Sequence, residues 1–216
     1  PGFTRAIATG NVTGAAMTIL DENILGASCA RVCPTEILCQ GACVRNGEGD
    51  RPIEIGLLQR HATDYLNTGT RHPFTRAPET GRTVAVIGAG PAGLACAHGL
   101  ARQGHGVTMF EGRAKPGGLN EYGIAAYKVA DDFAQAEVAF VAEVGGIEMR
   151  FGTTLGAEIS LAQLRSEYDA VFLGLGQGAV RDVGLSGEDL DGVHNAVDYI
   201  AQLRQAADLS ALAVGR

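Results

Sequence analysis

The sequence predicts an all-helical N-terminal region followed by an α/β domain with a parallel sheet, on three observations. Residues 1–69 show helical spacing and contain four of the five cysteines: Cys29, Cys33, Cys39 and Cys43. From Arg82 onward, short apolar strands alternate with helices. Where the first of those strands meets the first helix stands Gly88-Ala89-Gly90-Pro91-Ala92-Gly93. Glycine makes up 31 of the 216 residues, about twice the usual ~7%, so tight turns and close backbone approach are in demand.

The elements follow in order. Short apolar stretches such as Ala15-Ala16-Met17-Thr18-Ile19-Leu20 lie between turns in the first region. A helix is expected after Asp50-Arg51-Pro52, because proline suits a first helical turn and Ile53, Leu57, Leu58 and Tyr65 recur at helical spacing. Thr70 to Gly81, with two prolines and few apolar residues, reads as a linker. Thr83–Ile87 is a short apolar strand, Pro91–Gln103 a helix and Val107–Phe110 a second strand. Asp131–Val144 reads as an amphipathic helix with Phe133, Val138, Val141 and Val144 near one face. The Asp131-Asp132 pair suits the N-terminus of that helix. Ile147–Phe151 and Ala170–Leu175 are further strands around a short helix at Leu161–Glu167, and Asn195–Gln205 is a last helix. The division expected is a helical domain over 1–69, a linker over 70–81 and an α/β domain over 82–216.

Composition excludes several classes. Seventeen basic against twenty-four acidic residues give a net charge of −7, which argues against a nucleic-acid-coating protein. The 46% hydrophobic content supplies a core. No run approaches the roughly 18 apolar residues that cross a bilayer, and no charged-then-apolar signal opens the chain. A cytoplasmic protein, with no membrane or nucleic acid as partner, is the expectation. The length suits one large domain or two modest ones. Because the chain opens on Pro1 in the middle of a helical pattern, it reads as a fragment of a longer protein.

The hexapeptide Gly88–Gly93 is G-x-G-x-x-G in a strand–loop–helix setting. Its first glycine allows the turn, the second lets a pyrophosphate approach, the third lets the helix pack on the strand, and the helix N-terminus faces the phosphates. Glu111 follows Gly93 by eighteen residues, at the end of the second strand, where an acid hydrogen-bonds an adenosine ribose. This Rossmann-like pattern suits a nicotinamide or a flavin dinucleotide. A second glycine pair, in Lys115-Pro116-Gly117-Gly118-Leu119, has backbone amides that would reach the same dinucleotide from another side, and the arrangement resembles the FAD site of two-dinucleotide flavoprotein reductases, which favours FAD. A third cluster, Gly174-Leu175-Gly176-Gln177-Gly178, resembles the strand-end turn near the cofactor of two-dinucleotide flavoprotein reductases, or is a simple β-turn.

The cysteine spacing is Cys29-x3-Cys33-x5-Cys39-x3-Cys43. Zinc sites more often space their tight pairs by two residues, whereas iron–sulfur clusters take soft thiolates at varied spacing. Iron–sulfur ligation is therefore favoured over zinc and over four unliganded thiols. Cys96 reads as a small buried apolar residue, and the five histidines form no motif.

The segment CARVCPTEILCQGACVR, followed by IEIGLLQRHATDYL, resembles the N-terminal domain shared by dihydropyrimidine dehydrogenase and the small subunit of NADPH-dependent glutamate synthase. The likeness continues through AVIGAGPAGLACAHGLARQGHGVTMFE and PGGL, over nearly the whole chain. It implies two [4Fe-4S] clusters beside an FAD domain, into which an NAD(P)H domain is inserted. Cys33 and Cys39 would serve one cluster with a further upstream cysteine, and Cys43 would complete the other. Cys29 matches a family cysteine that is not a usual ligand. The dehydrogenase branch has a glutamine ligand where this chain has Gln59, and the glutamate synthase branch a glutamate. The wording is closest to the NAD(P)H-oxidising subunit of the bacterial pyrimidine dehydrogenase. Without the family, Gln59 would read as an ordinary helix residue.

There are departures. No cysteine precedes Cys29, so both ligand sets are incomplete here. Gly123-Ile124-Ala125-Ala126-Tyr127-Lys128-Val129-Ala130 lacks the family's prolines and has Lys128 in place of an arginine near the flavin. The chain stops about where the nicotinamide domain should start. The candidate cofactor-binding residues are Gly88, Ala89, Gly90, Pro91, Ala92, Gly93, Glu111, Gly117, Gly118, Leu119, Lys128, Leu155 and Gly176; the candidate metal ligands are Cys33, Cys39, Cys43 and Gln59; no catalytic side chain is singled out. The implied function is electron transfer from NAD(P)H through FAD and clusters to a partner flavoprotein subunit, for pyrimidine reduction. Glutamate synthase small subunit is the alternative, and a zinc-holding interaction module on a dinucleotide domain is the alternative of another class. This fragment alone is expected to be inactive.

Overall fold

The computed structural model describes residues 2–49, 51–66, 72–178, 180–181 and 183–212. Helices α1 (Gly2–Ala8), α2 (Val12–Glu22), α3 (Gly26–Val32) and α4 (Ile55–Leu66) form the first region, with a 3-10 turn at Val44–Glu48. The second alternates β1 (Thr83–Ile87), α5 (Pro91–Arg102), β2 (Gly106–Glu111), α6 (Leu119–Tyr122), α7 (Phe133–Ala142), β3 (Ile147–Phe151), α8 (Leu161–Glu167), β4 (Ala170–Leu173) and α9 (Ala196–Gln205). The sheet runs β3-β2-β1-β4, with every pair parallel.

The fold class is that read from the sequence. An all-helical part precedes an α/β part, and the strands fall where the short apolar runs placed them. Alternation along β1 sends Val84 and Val86 to one face and Ala85 and Ile87 to the other. The first face meets Leu94 and Ala97 of α5 and Val138 and Val141 of α7; the second meets Leu164 of α8. The core on the first face does not stop at the sheet. It runs on into Ala15, Ala16, Ile19, Leu20, Ala62 and Leu66, so α2 and α4 share one hydrophobic cluster with the α/β part.

Three details differ from the sequence reading. Helix α4 starts at Ile55, three residues beyond Pro52. Its buried face is Gly56, Ala62, Thr63 and Leu66, while Leu57 is 62% and Tyr65 47% exposed. Small side chains let α4 lie close to α2 and α3, and that close approach outweighs the burial of larger residues. The strand beginning at Ala170 ends at Leu173, where glycines take over. Residues 72–81 follow an extended path strapped to the α/β part: the Ala77 N–H donates to Arg102 O at 3.0 Å and Thr80 N–H to Gly104 O at 3.1 Å. Thr70 and Arg71, the start of the segment read as linker, lie outside the described residues.

Candidate functional site

The sheet turns back on itself at β1: the chain steps outward through β2 and β3, and β4 then pairs on the other side of β1. A crevice at the carboxyl ends of the strands is the ligand position such sheets create. Gly88–Gly93 lies there. The Gly88 N–H donates to Phe110 O at 2.7 Å, and Gly88 has φ +97°, a left-handed value that favours glycine. A Cβ on Gly93 would lie 1.9 Å from Gly88 O, so only hydrogen lets α5 start this close to the strand. A Cβ on Gly90 would meet nothing nearer than Gly118 Cα at 3.6 Å. The first and third glycines thus serve the fold, and the middle one leaves open space. Gly90 caps α5 without a side chain and Pro91 sits in the first turn, so the helix N-terminus faces the crevice bare.

The other glycine turns close on this loop. The Gly117 N–H donates to Ala89 O at 2.8 Å, and a Cβ on Gly118 would lie 2.7 Å from Gly90 Cα. The Gly117 amide is therefore already engaged within the protein. Gly118, with φ +55°, opens α6, and Leu119 is 61% exposed beside it. From the third cluster, Gly174 O would stand 2.3 Å from a Cβ on Gly88, so it is Gly174 that packs on the loop; Gly176 is exposed with open space around its Cα. Glu111 accepts from Ala89 N–H at 2.8 Å and Arg113 N–H at 2.9 Å, which draws the acid to the loop. Ala89 is fully buried, while Pro91 and Ala92 are exposed at the crevice. Lys128 is exposed, and Leu155 packs partly into the small cluster of Ala85, Ile87, Phe110 and Leu164. Three glycine turns, one helix N-terminus and one acid at a strand end make a cradle that fits a dinucleotide.

The cysteine region is arranged differently. Cys29 and Cys33 sulfurs stand 3.1 Å apart, Cys39 is exposed, and Gln59 is half-buried on α4. Burial, then the neighbouring Cys33, pushes the Cys29 thiol up to about 12. Backbone hydrogen bonds at Ile53 and Arg45 hold Cys43 below the ordinary thiol range. Among the described residues no three His, Cys, Asp or Glu side chains converge as a metal site. Cysteine sulfur is the soft ligand type that a cluster takes, but among the described residues these side chains do not gather into a ligand set.

Polar residues that sequence reasoning passed over join the two parts. Ser28 of α3 bonds with Glu137 and Asn120, and all three are buried; Glu121, also buried, bonds within the α/β part. Glu137 was the legible signal, a lone acid inside the apolar run Phe133–Ala142.

Comparison with known proteins places this geometry. Residues 82–213 match the family model described as pyridine nucleotide-disulphide oxidoreductase. The chain belongs to that family. Residues 1–70 match the model described as dihydropyrimidine dehydrogenase domain II, 4Fe-4S cluster, in agreement with the resemblance read from the cysteine block. Among curated relatives, the NAD-dependent dihydropyrimidine dehydrogenase subunit PreT homolog of Salmonella typhi is 41% identical over 95% of this chain and 49% of its own length. The glutamate synthase [NADPH] small chain of Halomonas elongata is 37% identical over 93% of this chain and 42% of its own length. The chain thus spans about half the length of the curated relatives it matches. Among solved structures, Mycobacterium tuberculosis FprA in complex with NADPH aligns with TM-score 0.50 and 26% identity, over 58% of this chain and 29% of that one. The chain thus joins an N-terminal segment that matches a 4Fe-4S cluster domain to an α/β domain of the pyridine nucleotide-disulphide oxidoreductase family. Among the described residues no helix is long and apolar enough to cross a membrane.

Proposed function

We propose that this chain is the flavin-holding and cysteine-bearing part of an oxidoreductase subunit that passes electrons from NAD(P)H to a partner flavoprotein subunit, where a pyrimidine is reduced. The carrying observation is the meeting of two glycine turns: Gly118 against Gly90, with Glu111 tied to Ala89 between them. When bound, FAD would accept a hydride from NAD(P)H and release electrons singly, which [4Fe-4S] clusters carry onward. The chain's own residues do the holding. Backbone amides at the α5 N-terminus face the pyrophosphate, Gly90 leaves it room, and Glu111 presents carboxylate lone pairs toward a ribose. Gly117, Gly118 and Leu119 close the second side, and Gly176, Leu155 and Lys128 are the outlying candidates. Cys33, Cys39, Cys43 and Gln59 would supply partial ligand sets, completed by donors other than these. Gln59, rather than a glutamate, is what favours the pyrimidine dehydrogenase reading over the glutamate synthase one.

The test is titration of the apo chain with FAD, NADH and NADPH, followed by fluorescence, with iron and acid-labile sulfide measured on anaerobically prepared protein. Saturable binding of one FAD per chain, with NADH and NADPH binding far more weakly, is expected. Tight nicotinamide binding without flavin binding would reverse the assignment, and stoichiometric zinc in place of iron would favour an interaction module.

A further inference from the structure

Helices α3 and α7 grip one another through polar groups 109 residues apart. The Ser28 N–H donates to Glu137 Oε1 at 2.8 Å, and the Ser28 hydroxyl donates to Glu137 Oε2. One turn along, the Arg31 guanidinium lies 3.8 Å over the Phe133 ring and pairs with Asp64 of α4 at 2.7 Å. An i, i+3 pair on α3 thus meets an i, i+4 pair on α7, which makes a two-point clasp.

The clasp reaches the second glycine turn. Asn120, two residues after Gly118, donates from Nδ2 to Ser28 Oγ at 2.8 Å. Ser28, Glu137 and Asn120 are 3%, 4% and 8% exposed. Burial pushes the Glu137 carboxyl above its usual range, against the pull of Ser28, Arg31 and Asn120. Apolar residues in these three places would pack α3 on α7 without that desolvation cost. What a hydrogen-bonded trio adds is direction: each bond fixes a distance and an angle, whereas apolar surfaces slide. On its far side the same turn is held by α9. Arg204 donates to Asn120 O, Glu121 O and Val129 O at 3.2, 2.9 and 2.6 Å, and Gln205 donates to the Glu121 carboxylate at 2.8 Å.

We propose that Ser28, Glu137 and Asn120 form a positioning tie that locks the Gly117–Gly118 turn to the cysteine-bearing helix α3, so that order at the turn and order in α3 rise and fall together. The inference rests on the reading of that turn as part of the flavin site. Glu137 is a positioning residue, acting through Ser28, which in turn holds Asn120. A disturbance of α3 is then felt at the turn, and by reciprocity FAD held at the turn tightens α3, the helix that carries Cys29 and leads into Cys33.

The experiment is hydrogen exchange on the chain and its Ser28→Ala, Glu137→Ala and Glu137→Gln variants, with FAD titration of each. Both alanine variants should exchange at least tenfold faster in residues 26–33 and also in 117–123, with β1 and β2 at parental rates. Glu137→Gln should stay within about twofold of the parent, since an amide there still accepts from the Ser28 N–H and can donate to its hydroxyl oxygen. Ser28→Ala should raise the FAD dissociation constant five- to tenfold, although Ser28 lies outside the crevice. Fast exchange confined to α3 and α7 would overturn the tie, as would uniform acceleration that includes β1 and β2. An unchanged dissociation constant, or a glutamine as damaging as alanine, would overturn it too. A parent that binds no FAD would sink the flavin reading alone, because the exchange measurements still decide the tie.

Discussion

The two halves of the molecule offer two kinds of site, and they differ in how completely one chain builds them. The crevice of the α/β part is made from backbone: three glycine turns meet at Gly88, Gly90, Gly118 and Gly174, and Glu111 is drawn to them by an amide hydrogen bond. Gly88, Glu111 and Gly174 stand at the ends of adjacent strands, and Gly118 opens the helix that follows β2. The cysteine part offers side chains from separate segments, and among the described residues Cys33, Cys39 and Cys43 do not gather into a group of three metal-ligating side chains. A backbone cradle is completed by local topology, whereas a side-chain ligand set needs every contributing segment.

The largest effect should come from the glycine that serves the fold. In Gly93→Ala a Cβ lands 1.9 Å from Gly88 O, with no flexible side chain to give way. The expected destabilisation is at least about 3 kcal/mol, seen as a drop of roughly 6–12 °C in Tm. A Tm within two or three degrees of the parent would show that the loop yields, and that the backbone cradle is less rigid than argued.

Gly90→Val tests the other half of that claim. Gly90 has ordinary backbone angles, φ −83° and ψ −176°, and open space beside it, so the variant should fold and melt as the parent does. Flavin affinity should fall about a hundredfold, or roughly 3 kcal/mol. Equal loss of folding at positions 90 and 93 would erase the distinction between glycines for the fold and glycines for the ligand.

Glu111→Ala should weaken FAD binding by about 1–3 kcal/mol. Since the carboxylate also holds Ala89 and Arg113, part of that loss reflects a looser loop. A flavin titration giving the parental dissociation constant would remove the ribose role.

What was legible in the sequence follows the same divide. The strands, the loop and Glu111 were readable because short apolar runs and G-x-G-x-x-G are local patterns. Helix α6 was missed because four residues carry no period, and its purpose shows only in Asn120 reaching Ser28. The buried face of α4 was not legible, because Leu57 and Tyr65 carry the helical spacing while Gly56, Ala62, Thr63 and Leu66 are the buried positions. Arg204, clamping three carbonyls, looks in sequence like any surface arginine at a helix end. Contacts between distant segments leave no local mark unless, as at Glu137, a charge stands in an apolar run.

A further effect concerns whether the two halves melt together. His98 of α5 is buried against His72 and Phe74, and its Nε2 has no hydrogen-bond partner. Burial first, then the charges of His72 and Arg102, bring its pKa down to about 4 from an ordinary 6.5. The folded state therefore holds His98 neutral, and the unfolded state takes up a proton first as pH falls. The contribution is fully present above about pH 6.5 and is lost progressively toward pH 4. It should amount to on the order of 2 kcal/mol once solvent screening is allowed for. Glu137, raised by burial, acts in the opposite sense, so the clean measure is the parent profile minus that of His98→Phe, which keeps the ring and removes the titration. Because Ala15, Leu20 and Leu66 share one core with Val86, Leu94 and Val141, helical circular dichroism and flavin release should follow a single acid transition. Release of flavin at a pH where the helical signal still stands would mean that the shared core does not couple the halves, and the contrast between them would extend from their sites to their folding.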